Sequence, residues 1–143
     1  SDKIKSLKVL FVMLIVTTIT NIANIFASGY TVMNISNQAI GGANGNWNTP
    51  DVYIPTSEVG RHHYIDNISV TRELDVKLRE RDSGTDGTWQ VLANNKMTQL
   101  TFNSSPYVLY MVAGNFDLYI DSRWYYVGNT TINSAHWFLD YLG

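Results

Sequence analysis

The amino-acid sequence predicts an all-β protein, an antiparallel β-sandwich or small barrel of about eight strands. Three observations carry this expectation. Over residues 68–78, Ile68, Val70, Leu74, Val76 and Leu78 fall on one face, interrupted by Arg72, while Ser69, Thr71, Glu73, Asp75 and Lys77 fall on the other. That period of two belongs to a strand with one buried and one wet face; a 3.6-residue period would scatter the charges around a helix. Residues 85–143 form a series of short β-branched and aromatic runs separated by Gly-Asn and Asp-Ser pairs, the sequence form of an antiparallel meander. Turn signals recur every 8–12 residues or so, the spacing of a sandwich or barrel.

Composition narrows the class. A chain of 143 residues fits one domain, and 45% hydrophobic against 15% charged residues supplies a core and excludes a disordered protein. A net charge of -2 points away from nucleic acid as a partner. The absence of cysteine excludes thiol catalysis, thiolate metal sites and the disulfide-dense extracellular classes. The fold must hold by packing, to which the 13% aromatic residues contribute large buried areas.

Taken in order, the chain opens with Lys3, Lys5 and Lys8, then eight apolar residues at 9–16, then polar Thr17, Thr18, Thr20, Asn21 and Asn24 before Ala27-Ser28. This reads as a signal peptide over residues 1–27, cleaved after Ala27, or as an N-terminal anchor helix; the run is shorter than the ~20 apolar residues of a spanning helix. The remaining residues, 28–143, are expected to form a single β-sandwich domain, secreted to the extracellular space or periplasm. Removing 1–27 takes away three Lys and one Asp and moves the formal charge from -2 to -4.

Residues 29–36 read as a first strand. Residues 37–55 contain Gly41-Gly42, Gly45, Pro50 and Pro55 and read as a long surface loop or loosely held edge, a type of segment that is often functional. After the 68–78 strand, Asp86-Gly87 predicts a hairpin turn with 88–92 returning. Asn94-Asn95 is another turn and 96–102 another strand. Residues 107–112 are continuously apolar, which predicts the centre of a sheet or a strand covered on both faces. Runs at 116–120 and 124–127 continue the meander, and 134–142 reads as a last strand in preference to a short helix.

Candidate chemistry is sparse. His62, His63 and His136 are available as metal ligands, with Glu58 or Asp66, but adjacent residues of a strand point to opposite faces, so packing or surface roles are the simpler reading. Residues 82–87 resemble a fragment of a calcium loop that lacks the middle acid and the closing Glu, Ala93 standing at that place. Glu58, Glu73, Glu80, Asp117 and Asp121 could form a carboxylate pair for glycoside hydrolysis. With eleven acids in residues 28–143, a pair by itself means little. No Gly-x-Ser-x-Gly elbow is present. The reading therefore assigns no catalytic residue, no metal and no cofactor, and leans away from an enzyme. Asn-x-Ser/Thr sequons stand at Asn34, Asn67, Asn103 and Asn129, near the number expected by chance in a chain this rich in Asn.

The aromatics carry the functional expectation. Trp47 sits among loop-formers between Asn46 and Asn48, and Trp124, Tyr125 and Tyr126 follow the Asp121-Ser122 turn; Trp89 and Trp137 lie in strand-like runs and are expected in the core. Loop aromatics flanked by amide and carboxylate groups stack on sugar rings while their neighbours hydrogen-bond the hydroxyls. The expected function is a secreted, non-catalytic binding protein that recognises carbohydrate or a cell surface through Trp47, Asn46, Asn48, Trp124 and Tyr126. The alternatives are a membrane-active, toxin-like β-sandwich, a filament or surface subunit that retains the N-terminal helix, and a small hydrolase. The oligomeric state is left open.

Overall fold

The computed structural model describes residues 29–103 and 112–141. The signal or anchor segment, and all but the last residue of the 107–112 run, lie outside the described residues. The described chain contains ten strands and one short 3-10 turn, Thr56–Glu58. The strands are β1 (Tyr30–Gly41), β2 (Asn46–Asn48), β3 (Val52–Ile54), β4 (His62–Val70), β5 (Leu74–Glu80), β6 (Thr85–Asp86), β7 (Gln90–Leu92), β8 (Thr98–Leu100), β9 (Gly114–Asp121) and β10 (Thr130–Asp140).

They build two antiparallel sheets. One has the order β1-β10-β4-β8. In the other, β2 and β3 both pair with β9, β9 pairs with β5, and β6 and β7 both pair with β5. β2 and β3 thus act as one edge strand broken around Pro50, and β6 and β7 as one broken at Gly87, which leaves eight strand positions. Each position pairs with a partner reached by folding the chain back on itself: β1 with β10, β2–β3 with β9, β4 with β8, β5 with β6–β7. Rolling such a doubled ribbon into two layers is the topology of a jelly roll. It also gathers the connections β1–β2, β4–β5, β7–β8 and β9–β10 at one end. Contacts tie that end together: Ser122 N–H donates to Gly45 C=O at 2.7 Å, Thr71 N–H to Thr131 C=O at 3.0 Å, and Asn95 N–H to Ile68 C=O at 3.0 Å.

The core lies between the sheets and is built from alternate residues. Ile65, Ile68, Val70, Ile132, Ala135, Trp137 and Leu139 come from one layer; Leu74, Val76, Leu78, Phe116, Leu118 and Ile120 come from the other. Each fully buried large side chain contributes about 1.5–3 kcal/mol relative to exposure. Trp137 is wholly buried, as the sequence predicts. Trp89 is not: it is 44% exposed. Val76 is buried and stands opposite Gln90, so Trp89, one residue earlier, projects from the outer face.

Three further expectations change. The 68–78 run is two strands, β4 and β5, joined by a turn at 71–73. The turn offsets Val70 and Leu74 by an even number, so the alternation passes through it unbroken and conceals it. The hairpin after β5 turns at 81–84, not at Asp86-Gly87. There the buried Glu80 carboxylate accepts the N–H groups of Asp82 and Ser83, both at 2.8 Å, and Gly84 has φ 75°. Gly87 serves close approach instead: a Cβ there would lie 2.7 Å from the carbonyl oxygens of both Leu78 and Thr101. Residues 124–127, predicted as a strand, belong to the β9–β10 loop because they leave the ladder to reach the β4–β5 turn.

Candidate functional site

The β9–β10 loop, residues 122–129, is braced by two arginines. Arg72, at the tip of the β4–β5 turn, donates Nη2 to the carbonyls of Val127 and Gly128 at 2.6 and 3.1 Å, with Asn129 C=O at 3.5 Å. Its guanidinium also lies 4.6 Å from the centre of the Tyr126 ring. Arg123 pairs Nη1 with Glu73 at 3.2 Å and Nη2 with Asp75 at 3.4 Å. Arg123 Nη1 also donates to the Tyr125 hydroxyl at 3.3 Å. This bond and then Asp75 raise the pKa of the Arg123 guanidinium and keep it charged, with burial opposing. The Tyr126 hydroxyl donates to Glu73 C=O at 2.7 Å, and Tyr126 N–H closes a turn on Arg123 C=O at 3.1 Å.

That bracing holds a tip of rings and an apolar side chain in solvent. Trp124 is 74% exposed, Tyr125 53% and Val127 89%. Trp124 and Tyr125 meet edge to face at 5.5 Å, and Tyr125 meets Tyr126 in the same way at 5.1 Å.

The predicted site residues separate into two groups. Trp124 stands at the tip, and half-buried Tyr126 packs against Tyr125 and Arg72. Asn46 and Asn48 are exposed on the outer face of the second sheet, where Asn46 lies opposite Asp121 and Asn48 opposite Tyr119. Trp47 lies between them in β2, so its side chain takes the opposite face and packs against the core. The loop end therefore brings together Trp124, Tyr125, Arg123, Glu73 and Asp75. Asp75 faces Asp121 across the β5–β9 ladder, and Asp121 in turn faces Asn46. Burial, and then the charge of Asp75, raise the Asp121 carboxyl above the usual carboxylate range, with Lys77 opposing.

The same outer face carries a second aromatic group. Trp89 and Tyr119 meet at 5.9 Å, with Lys77 Nζ 4.8 Å from the Trp89 ring and 2.7 Å from Asp86. Arg79 grips buried Asp117 through Nε and Nη2, at 2.8 and 2.6 Å, and that bond raises its pKa. These cations lie against the rings and are held by carboxylates.

The histidines do not converge. His63 is buried in the core and accepts the Trp137 indole N–H on Nδ1 at 2.9 Å. Its proton is therefore on Nε2, which has no hydrogen-bond partner among the described residues. Burial, and then neighbouring His62, lower its pKa to about 3. His136 lies on the outer face, with Nδ1 2.7 Å from Asp66 and Nε2 2.9 Å from the Thr31 hydroxyl. Among the described residues, no three His, Asp or Glu side chains stand close enough to share a metal ion.

Sequence reasoning named Tyr125 beside Trp124 and weighed Glu73 as a hydrolytic acid without placing either in the site, and it gave Arg72, Asp75 and Arg123 no functional role. One signal was present: Arg72 is the only break in the 68–78 alternation, and it breaks at the turn that holds the loop. Comparison of the chain with protein-family models, curated proteins and solved structures finds no match.

Proposed function

We propose that this protein is an exported, non-catalytic carbohydrate-binding β-sandwich whose site is the loop end around Trp124 and Tyr125. One observation carries the reading: two large rings stand more than half exposed on a loop held by two arginines, five carbonyl or carboxylate groups and a tyrosine hydroxyl bond. Exposed aromatic area costs free energy in water, and bracing it prevents collapse onto the surface. A sugar ring offers what this surface lacks, an apolar face for the indole and hydroxyls for Arg123, Glu73 and Asp75.

The test is a glycan array followed by calorimetry. Trp124→Ala weakens glycan binding tenfold or more, about 1.4 kcal/mol, with an unchanged melting temperature. Absence of glycan binding, or binding untouched by the substitution, overturns the reading. A second reading rests on Val127: its 89% exposure beside Trp124 and Tyr125 makes an apolar tip of the sort that enters a lipid interface. Co-sedimentation with phosphatidylcholine vesicles that is lost in Val127→Asp, with no glycan bound, favours that reading.

A further inference from the structure

Two open depressions adjoin the loop end. One, of about 680 Å³, runs between the edge strands β7 and β8 and is lined by Glu73, Gln90, Val91, Lys96, Met97 and Gln99, among others. The other, of about 450 Å³, lies over the β4–β5 turn and shares Glu73, Ala93 and Lys96 with the first. Both are of ligand size. They form a groove along the seam where the edges of the two sheets meet.

We propose that this groove is the continuation of the loop-end site and that the ligand is an oligosaccharide with at least one further ring lying between β7 and β8. The inference rests on the carbohydrate reading above. Continuity is the first argument. The Tyr125 hydroxyl is 3.3 Å from Arg123, Arg123 is 3.2 Å from the Glu73 carboxylate, and Glu73 lines both depressions. A ligand stacked on Trp124 and Tyr125 reaches the mouth of the groove after two such contacts.

Lining chemistry is the second argument. Gln90 and Gln99 each offer an amide donor and acceptor, Lys96 donates, and Glu73 accepts. Val91 and Met97 are 42% and 56% exposed and give the groove two apolar patches. Thr98 also lines the groove, but its hydroxyl is bonded to Val91 C=O at 3.2 Å and so fixes the two edges relative to each other. Alternating polar and apolar patches on an open floor match a sugar chain, which presents hydroxyl edges and C–H faces. They do not match an apolar ligand, which would bury the amides of Gln90 and Gln99 and the ammonium of Lys96 without offering them a partner.

The experiment measures affinity by calorimetry for the array-positive glycan as mono-, di-, tri- and tetrasaccharide, in the wild type, in Gln99→Ala and in Trp124→Ala. The expected result is affinity that rises at least tenfold from the mono- to the trisaccharide. Gln99→Ala removes most of that rise and leaves the monosaccharide affinity unchanged, while Trp124→Ala weakens every length. Gln99 is exposed, and an unchanged melting temperature in Gln99→Ala confirms intact folding. Equal affinity for all lengths, or a rise that Gln99→Ala leaves intact, overturns the groove and leaves the loop-end reading standing. If no length binds, both fall.

Discussion

Acidification should destabilise this fold through His63 specifically, in a pH window where few carboxylates titrate. The ring is wholly buried, contacts Phe116 and Trp137 at centroid distances of 5.1 and 5.7 Å, and accepts the indole N–H on Nδ1. Burial of the ring, and then neighbouring His62, disfavour the charged form, so the folded pKa lies at about 3 against 6.5 for the free side chain. The sign follows from linkage. Between these values the unfolded chain binds the proton and the folded chain does not. Stability is therefore full above about pH 6.5 and falls as pH drops below it, by about 1.4 kcal/mol per pH unit. At pH 5 the loss is about 2 kcal/mol, or about 6–8 °C in melting temperature for a domain of this size. Urea unfolding at pH 5.0, 5.75, 6.5 and 7.5 measures it, with His63→Gln as the reference. Glutamine keeps an acceptor for Trp137 and does not titrate. His63→Gln should be less stable at neutral pH because it loses the ring contacts, yet its stability should decline less towards pH 5. If the two pH dependences coincide, or if NMR shows His63 titrating near 6.5 in the folded protein, the reasoning is refuted.

Other outcomes follow from single contacts. Asp117→Ala strands the Arg79 guanidinium, which is itself only partly exposed, and should cost about 2–3 kcal/mol in urea unfolding. Thr49→Val removes the buried hydroxyl that accepts the Leu118 N–H at 3.0 Å and should cost about 1–3 kcal/mol by the same measurement. Gly87→Ala forces a Cβ against two backbone carbonyls and should lower stability on the order of 2 kcal/mol, or shift the β6–β7 edge, visible as faster exchange of the amides of residues 87 and 88, which donate to Leu78 C=O and Thr101 C=O. Arg72→Ala should cost only about 1 kcal/mol in stability but loosen the β9–β10 loop, so that glycan affinity falls while Trp124 is still present.

Much of the fold was legible because a strand with one buried face writes its period into the sequence. β5 is found this way, β9 and β10 as apolar runs bounded by turn signals, and the alternation together with the turn spacing indicated the class. What failed did so where period two is ambiguous. The β4–β5 turn preserves the parity of the alternation, and Trp89 sits in an apolar run whose register no neighbour in sequence reveals. The aromatic loop at 124–127 was legible as aromatic, but not as a loop. Trp47 was read from its Gly- and Asn-rich neighbours, whereas its side chain is oriented by pairing with Ile120 of β9, 73 residues later.

By itself, then, the chain's amino-acid order determined the class of fold, the layers' inner faces and the residue types available for binding. These are local properties, set by pattern and composition over a few residues. Only the tertiary structure decided which of those residues meet. The pairing of β4 with β10 and of β5 with β9 carries the β4–β5 turn to the β9–β10 loop, and so sets Arg72 and Glu73 beside residues 50 to 57 positions away. Contacts at such separations depend on strand order and register, which no short stretch of sequence encodes.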